Sequence, residues 1–328
     1  MSVIEALPPE ISLAAKLEHY FGSPDADPRL RAAEVYATQV MREFRKGPTQ
    51  GAALPWAKTM DNVRLRPGEV SLWPGINGHG KSLMTSNVAL GLVDQGHRVC
   101  IASLEMWPVK TLARMARQAI GVSAPTDKAV GQFVDWLKRR LWLYDEHGRA
   151  DPRRILAVIR YAAIEIKVEH FFLDSLMMVC KGEEDYDGQK DFVTELCAVA
   201  KDTACHVHLV HHTRKLKDEG EIPGKFDAKG SGSITDQVDN VFTVWRNKRK
   251  EAERQEAERQ GVAFDEGKPD ALLVCDKQRH GEWEGRIALW FDRASMTYRG
   301  EPHPATMKRY NLVPDRQPGA DEGEEFVA

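Results

Sequence analysis

The 328 residues, 42% of them hydrophobic and 29% charged, suffice for one large α/β core of roughly 200 to 250 residues with smaller attachments. A formal net charge of −3 excludes a molecule coated in basic surface, although one loop or channel can still concentrate positive charge against a phosphate backbone. Five scattered cysteines without a Cys-x-x-Cys pair argue against a disulfide framework or structural zinc site, and with no signal pattern and no apolar run of about 18 residues the expectation is a soluble, cytoplasmic chain, in the host cytoplasm if phage-encoded, that meets no membrane.

In chain order, Leu13, Leu17, Tyr20 and Phe21 recur at helical spacing until the Gly/Pro/Asp stretch Gly22 to Pro28. A second helix is predicted from Leu30, Ala33, Ala37, Val40, Met41 and Phe44, ending at Gly47-Pro48. Residues 1–57 are too few for a core of their own, so their apolar stripe needs a surface to dock on, within the chain or on a neighbouring subunit. From Gly68 the pattern alternates. Short apolar runs at Glu69–Trp73, Val99–Leu104, Leu141–Tyr144, Phe171–Leu173, Val207–Val210, Val241–Trp245, Ala271–Cys275 and Ile287–Phe291 read as strands. Between the earlier ones lie helical stretches, one opened by the N-cap and first-position pair Asp151-Pro152. This rhythm predicts an α/β fold with a mostly parallel central sheet, its later strands antiparallel at one edge. Glu251 to Gln260 spells Glu-Ala-Glu-Arg-Gln twice and reads as a solvated charged helix. After Pro304 the periodicity stops, and the acidic end Asp321 to Ala328 reads as a flexible tail that can hook a partner. The expected division is therefore 1–57, 58–304 and 305–328.

Gly75-Ile76-Asn77-Gly78-His79-Gly80-Lys81-Ser82 fits the G-x-x-x-x-G-K-S pattern between a predicted strand and the helical run from Leu83. Glycines let backbone N–H groups curl around phosphates at a helix N-terminus, Lys81 can reach the β- and γ-phosphates, and Ser82 can ligate Mg²⁺. The nucleotide contacts expected here are Gly75, Asn77, Gly78, His79, Gly80, Lys81, Ser82 and Leu83. Glu105 ends the next apolar strand, at the sheet edge where a carboxylate can polarise an attacking water. Asp174 closes the strand Phe171-Phe172-Leu173 and is placed to hold Mg²⁺ with Ser82. Of His206, His208, His211 and His212, the last two stand at a strand end from which one can donate to the γ-phosphate, and the spacing does not say which.

Four blocks in order, Gly75–Ser82, Ser103–Met106, Lys229–Asn240 and Lys277–Gly281, make the chain resemble the helicase domain of the DnaB-like ring helicases, a family that includes Twinkle and the helicase half of short-tailed-phage primase-helicases. The resemblance implies a RecA-like P-loop NTPase core preceded by a short helical linker, using ATP or another NTP with Mg²⁺. It implies Glu105 as catalytic base, Asp174 as the Mg²⁺-associated acid and His212 as the γ-phosphate sensor, with His211 still open. Arg279 resembles an arginine finger reaching a neighbouring subunit's site, with Lys277 beside it. Single-stranded DNA would meet two segments, Lys181–Lys190 and Arg214–Ser233, the second carrying Arg214, Lys215, Lys217, Lys225, Lys229, Gly230, Ser231 and Gly232. A hexameric ring moving 5′ to 3′ is implied, with priming left to a separate primase and the acidic tail resembling a DNA-polymerase hook. Other readings stay open: a RecA/RadA-like recombination ATPase, a plasmid-type replication ATPase, or a nucleotide-dependent adaptor that loads another replication protein.

Overall fold

The computed structural model describes residues 33–46, 51–181, 185–213 and 232–302, with Tyr310 and Leu312. The chain divides into two units, Met1–Gln50 and Gly51–Ala328. In the first, a 3₁₀ turn Ala33–Tyr36 runs into helix α1 (Ala37–Lys46), which carries Val40, Met41 and Phe44 exposed. The helix predicted around Leu13 to Phe21 and the acidic tail lie outside the described residues.

The second unit is built on one nine-stranded sheet. Its strands are β1 (Val70–Gly75), β2 (Val99–Ser103), β3 (Leu141–Leu143), β4 (His170–Asp174), β5 (His206–His212), β6 (Asn240–Arg246), β7 (Ala271–Gln278), β8 (Gly285–Asp292) and β9 (Thr297–Arg299), in the order β3-β2-β4-β5-β1-β6-β7-β8-β9. The six strands from β3 to β6 pair in parallel and the last three add antiparallel. All eight expected strands are present. Three-residue β9, too short for an alternation to register, is the one the sequence did not announce.

Helices α2 (Lys81–Asp94), α3 (Pro108–Ile120), α4 (Asp127–Leu137), α5 (Pro152–Ile164) and α6 (Tyr186–Thr203) fill the crossovers between the parallel strands. The Asp151 carboxylate accepts from Arg153 N at 2.8 Å and Arg154 N at 3.3 Å, so the expected cap does start α5. Alternation along the strands sorts their apolar residues into two cores: Trp73, Phe172 and Phe242 pack with Met84 and Leu90 of α2, whereas Leu72, Phe171 and Leu173 pack with Ile159 of α5 and Leu196 of α6. Residues 51–57, grouped with the N-terminal region on sequence, belong to this second unit. Leu54 and Trp56 are buried in it, and the Trp56 indole donates to Tyr298 O at 2.9 Å. No helix among the described residues is long and apolar enough to cross a membrane.

The short helix α7 (Gly232–Gln237) precedes β6, and the 13-residue α8 (Lys248–Gln260) follows it. The second is only partly the solvated element its composition suggests. Lys250, Arg254 and Ala257 fall on one face at i, i+4 and i+7, and all three are buried. Lys250 Nζ meets Asp270 at 3.0 Å and Glu266 at 3.2 Å; Arg254 meets Asp270 at 2.8 Å and also pairs with Glu266. The acids that draw these cations inward stand outside the repeat, so the repeat alone does not announce the burial.

Three of the histidines buried in the sheet, His170, His206 and His208, form one cluster, and their partners assign their tautomers. His206 Nδ1 donates to Arg66 O at 2.6 Å, leaving Nε2 to accept the Ser71 hydroxyl at 2.8 Å. Trp73 Nε1–H points to His208 Nδ1 at 3.3 Å, so His208 Nε2–H faces His170 Nδ1, also at 3.3 Å. Burial holds His206 down to about 4 and His170 and His208 well below the usual imidazole range, with mutual repulsion adding to the last two. The unfolded chain, with imidazoles near 6.5, therefore binds more protons than the folded one below that pH. Stability is full above pH 6.5 and falls between 6.5 and about 4, by on the order of 1.4 kcal/mol per pH unit for each proton withheld. Urea midpoints measured from pH 8 to 5 should be level above 7 and drop steeply below 6.5; a level profile throughout would show that these rings are not held neutral.

Candidate nucleotide site

Sheet register decides which side chains meet. Gly75 lies opposite His212 across β1 and β5, and Ser103 opposite Asp174 across β2 and β4, with Glu105 two residues beyond Ser103. The carboxyl ends of four adjacent parallel strands thus bring Gly75, Glu105, Asp174 and His212 to one edge, where an open α/β sheet receives its ligands.

Within the loop, Gly78 and Gly80 hold φ of +80° and +84°, a region costly for residues with a Cβ. Gly80 has a second constraint, since a Cβ there would collide with the Tyr298 hydroxyl, and a Cβ on Gly75 would lie 2.6 Å from the Val244 carbonyl. Lys81 opens the 14-residue α2 and folds back over the loop. Its Nζ donates to Gly75 O at 3.0 Å and Ile76 O at 3.2 Å, and lies 3.3 Å from His212 Nδ1. Burial lowers the ammonium to about 8 against the pull of Asp174 and Glu105. Asn77 and Gly78 are exposed, whereas the His79 ring turns inward, its Nδ1 accepting from Arg246 N at 3.2 Å while the His79 backbone N–H donates to Ile76 O.

On the metal side, Ser82 and the buried Asp174 carboxylate line one small space beside the first turn of α2. Burial pushes that carboxyl up from its ordinary range, while Ser82, Lys81 and Arg114 pull it back. Two hard oxygen donors beside a phosphate loop fit Mg²⁺, which takes few protein ligands and keeps the rest for phosphate and water. Glu105 is arranged differently. His212, whose Nε2 is 3.8 Å away, draws its carboxyl down to about 2 against a burial cost, assisted by the Ser175 hydroxyl donating at 2.7 Å. His211 lies on the opposite face of β5, fully buried, so it is His212 that meets Lys81 and Glu105.

Beside the loop lies a pocket of about 220 Å³ lined by Leu83, Arg246, Glu251, Phe291 and Tyr298. Apart from Leu83 the sequence reading missed these residues. They come from β6, α8, β8 and β9, with no local pattern joining them to the glycine-rich loop.

Lys277 and Arg279 are not brought to this site. Lys277 Nζ donates to Thr235 O at 2.8 Å and Asp236 O at 3.0 Å. Arg279 donates to the carbonyls of Asp236, Gln237 and Val238 at 3.0 to 3.3 Å, and its Nε pairs with Asp239 at 3.2 Å. Both cations thus hold the C-terminal end of α7. Pairing of Ser71 with Asn240, and of Asn240 with Gln278, puts them at the sheet edge opposite Gly75, about 13 Å away along β1.

Of the residues expected to face DNA, Arg214, Lys215, Lys217, Lys225, Lys229, Gly230 and Ser231 lie outside the described residues, and Gly232 opens α7. The segment Lys181–Lys190 is not a loop throughout: the Asp185 carboxylate accepts from Gly188 N and starts α6 at Tyr186.

A family model described as "AAA domain" matches residues 49–218. The "DNA helicase/primase" of Enterobacteria phage T3 is 27% identical over 203 residues, 56% of this chain but only 36% of the relative's length. Among solved structures, one described as an "ATPase Domain" superposes with a TM-score of 0.69 at 14% identity, covering 82% of this chain and 98% of the other. A DnaB-like replicative helicase, solved in work on its interactions with primase, gives 0.63 at 13% identity, covering 87% and 71%. The RecA-like α/β architecture of a P-loop NTPase core, with its mostly parallel sheet, is the fold this chain shares with them.

Proposed function

The chain belongs to the AAA domain family, and from that premise we propose that it hydrolyses ATP or another NTP to drive a replicative DNA helicase, translocating on single-stranded DNA within a homo-oligomeric, hexameric ring. The observation that carries this reading is the convergence of Lys81, Ser82, Glu105, Asp174 and His212 at one sheet edge beside the N-terminus of α2. Phosphates fit against Gly78 to Ser82, where the helix end and Lys81 supply positive potential. The base fits the pocket between Phe291, Tyr298 and Arg246. Ser82 and Asp174 would hold Mg²⁺, which when bound neutralises charge developing on the phosphates.

Lys81 then exchanges the Gly75 and Ile76 carbonyls for phosphate oxygens. That releases His212 to meet the γ-phosphate and leaves Glu105 to take a proton from the attacking water. Arg279, with Lys277, acts on the neighbouring subunit's site, because within its own chain it stands at the far edge of the sheet. DNA runs along Lys181–Lys190 and the Arg214–Ser233 segment, 5′ to 3′. We assign 1–50 to subunit docking, 51–304 to the motor and 305–328 to a tail that contacts a DNA polymerase, with a separate primase and a cytoplasmic setting.

The test is NTP hydrolysis with and without single-stranded DNA, beside unwinding of a fork bearing a free 5′ tail. Expected are DNA-stimulated turnover, a stimulation that weakens steeply from about 50 to 200 mM salt, and unwinding. Stimulation without unwinding would transfer the chain to the recombination ATPases, and turnover indifferent to DNA would make it a nucleotide-dependent adaptor.

A further inference from the structure

Arg114, in the middle of α3, is half-buried behind the phosphate loop and has no part in the mechanism above. One terminal nitrogen donates to Ser82 O at 3.2 Å and to Ser86 Oγ at 3.0 Å; the other lies 3.4 Å from the sulfur of Met106, the residue after Glu105. One guanidinium therefore ties the first turn of α2 to the turn that carries the proposed base. Its Nε is buried with no hydrogen-bond partner, and so is the hydroxyl of Thr111, a residue 1% exposed and one helical turn earlier.

These two orphans share surroundings. Arg114 and Thr111 line, with Ser82, Ser86 and Asp174, a small space of about 10 Å³. That is the room one water molecule needs, and a buried water requires two to four polar partners. A buried donor left unsatisfied forfeits its hydration with nothing in return, so two orphans and a carboxylate around one water-sized space point to a shared ligand.

We propose that this space holds one ordered water, accepting from Arg114 Nε–H and the Thr111 hydroxyl and donating to the Asp174 carboxylate, and that Arg114 is through it a positioning residue for the metal side of the site. The inference rests on the reading of Ser82 and Asp174 as the Mg²⁺ side. Arg114 fixes the backbone of Ser82 through its carbonyl and the Asp174 carboxylate through the water, so the Ser82 hydroxyl and that carboxylate reach the metal as a preset pair. A positioning network of this kind usually governs metal affinity by roughly 10- to 100-fold.

The experiment titrates Mn²⁺ onto the full chain with a non-hydrolysable NTP analogue, followed by electron paramagnetic resonance, and separately measures affinity for a fluorescent nucleotide in EDTA. Thr111→Val removes the hydroxyl and keeps the shape; Thr111→Ser keeps the hydroxyl; Arg114→Lys keeps the charge but not the fork. Thr111→Val and Arg114→Lys should each weaken Mn²⁺ binding about 10-fold or more, with Thr111→Ser close to wild type and metal-free nucleotide affinity unchanged in all three. Mn²⁺ binding that is unchanged or tighter in Thr111→Val overturns the proposal, as does an equal loss of metal-free nucleotide affinity, which marks a merely structural contact. A wild-type chain that binds nucleotide but no Mn²⁺ overturns the metal-side reading itself, and the proposal with it.

Discussion

Glu105→Gln should lower turnover by about 10²- to 10⁴-fold while leaving nucleotide affinity nearly unchanged, the signature of a group used only in the transition state. The substitution keeps the shape and keeps an oxygen for the Ser175 hydroxyl, so the edge of the sheet is preserved while proton acceptance is lost. Held at about 2 in the free site, the Glu105 carboxyl is ionised throughout the neutral range, so loss of its charge cannot produce an acid limb in kcat/KM above pH 5. It is also a poor base while tied to Ser175 and drawn down by His212. On the proposed mechanism, phosphate would draw Lys81 and His212 away from it and so raise its basicity, which links proton acceptance to an occupied site. Single-turnover hydrolysis and binding of a fluorescent nucleotide, measured on the same preparation, test this. Turnover within tenfold of wild type would move the base elsewhere.

What the sequence discloses is what is local. The six parallel strands are short apolar runs and the antiparallel β7 and β8 carry apolar runs of their own, so eight of nine were legible one by one, and the loop from Gly75 to Ser82 announces itself because its chemistry lies within eight consecutive residues. Glu105 and Asp174 were legible because strand ends are, and topology gathers strand ends. Properties that depend on register or distant partners were not. Choosing between His211 and His212 needs the pairing of β5 with β1, which turns one ring into the core and the other toward Lys81. The pocket of Arg246, Phe291 and Tyr298 is assembled from residues far beyond the loop in the chain. Arg114 looks like any helix cation until Ser82, Ser86 and Met106 are found around it. Lys250 and Arg254 read as solvent-facing until Asp270 lies beneath them.

Arg279→Ala is expected to cost about 10³- to 10⁵-fold in turnover of the assembled protein, the range in which a finger supplied in trans acts. Two explanations would give that loss. In one, the neighbouring site is left without a guanidinium; in the other, the chain that lost Arg279 is itself damaged, because this side chain holds three carbonyls at the end of α7 and pairs with buried Asp239. Mixing separates them. An Arg279→Ala subunit keeps its own Lys81, Glu105 and Asp174, and a Glu105→Gln subunit keeps its finger. Where the first stands beside the second across a head-to-tail interface, one complete site forms. Random assembly of equal amounts should therefore restore about a quarter of wild-type turnover from two preparations that are nearly inactive alone. A damaged α7 in the Arg279→Ala chain would spoil the segment that follows the proposed DNA contacts, and no partner could repair it. Recovery on mixing would place Arg279 in its neighbour's site, whereas its absence, with both variants folded and assembling, would confine Arg279 to capping α7 in its own chain.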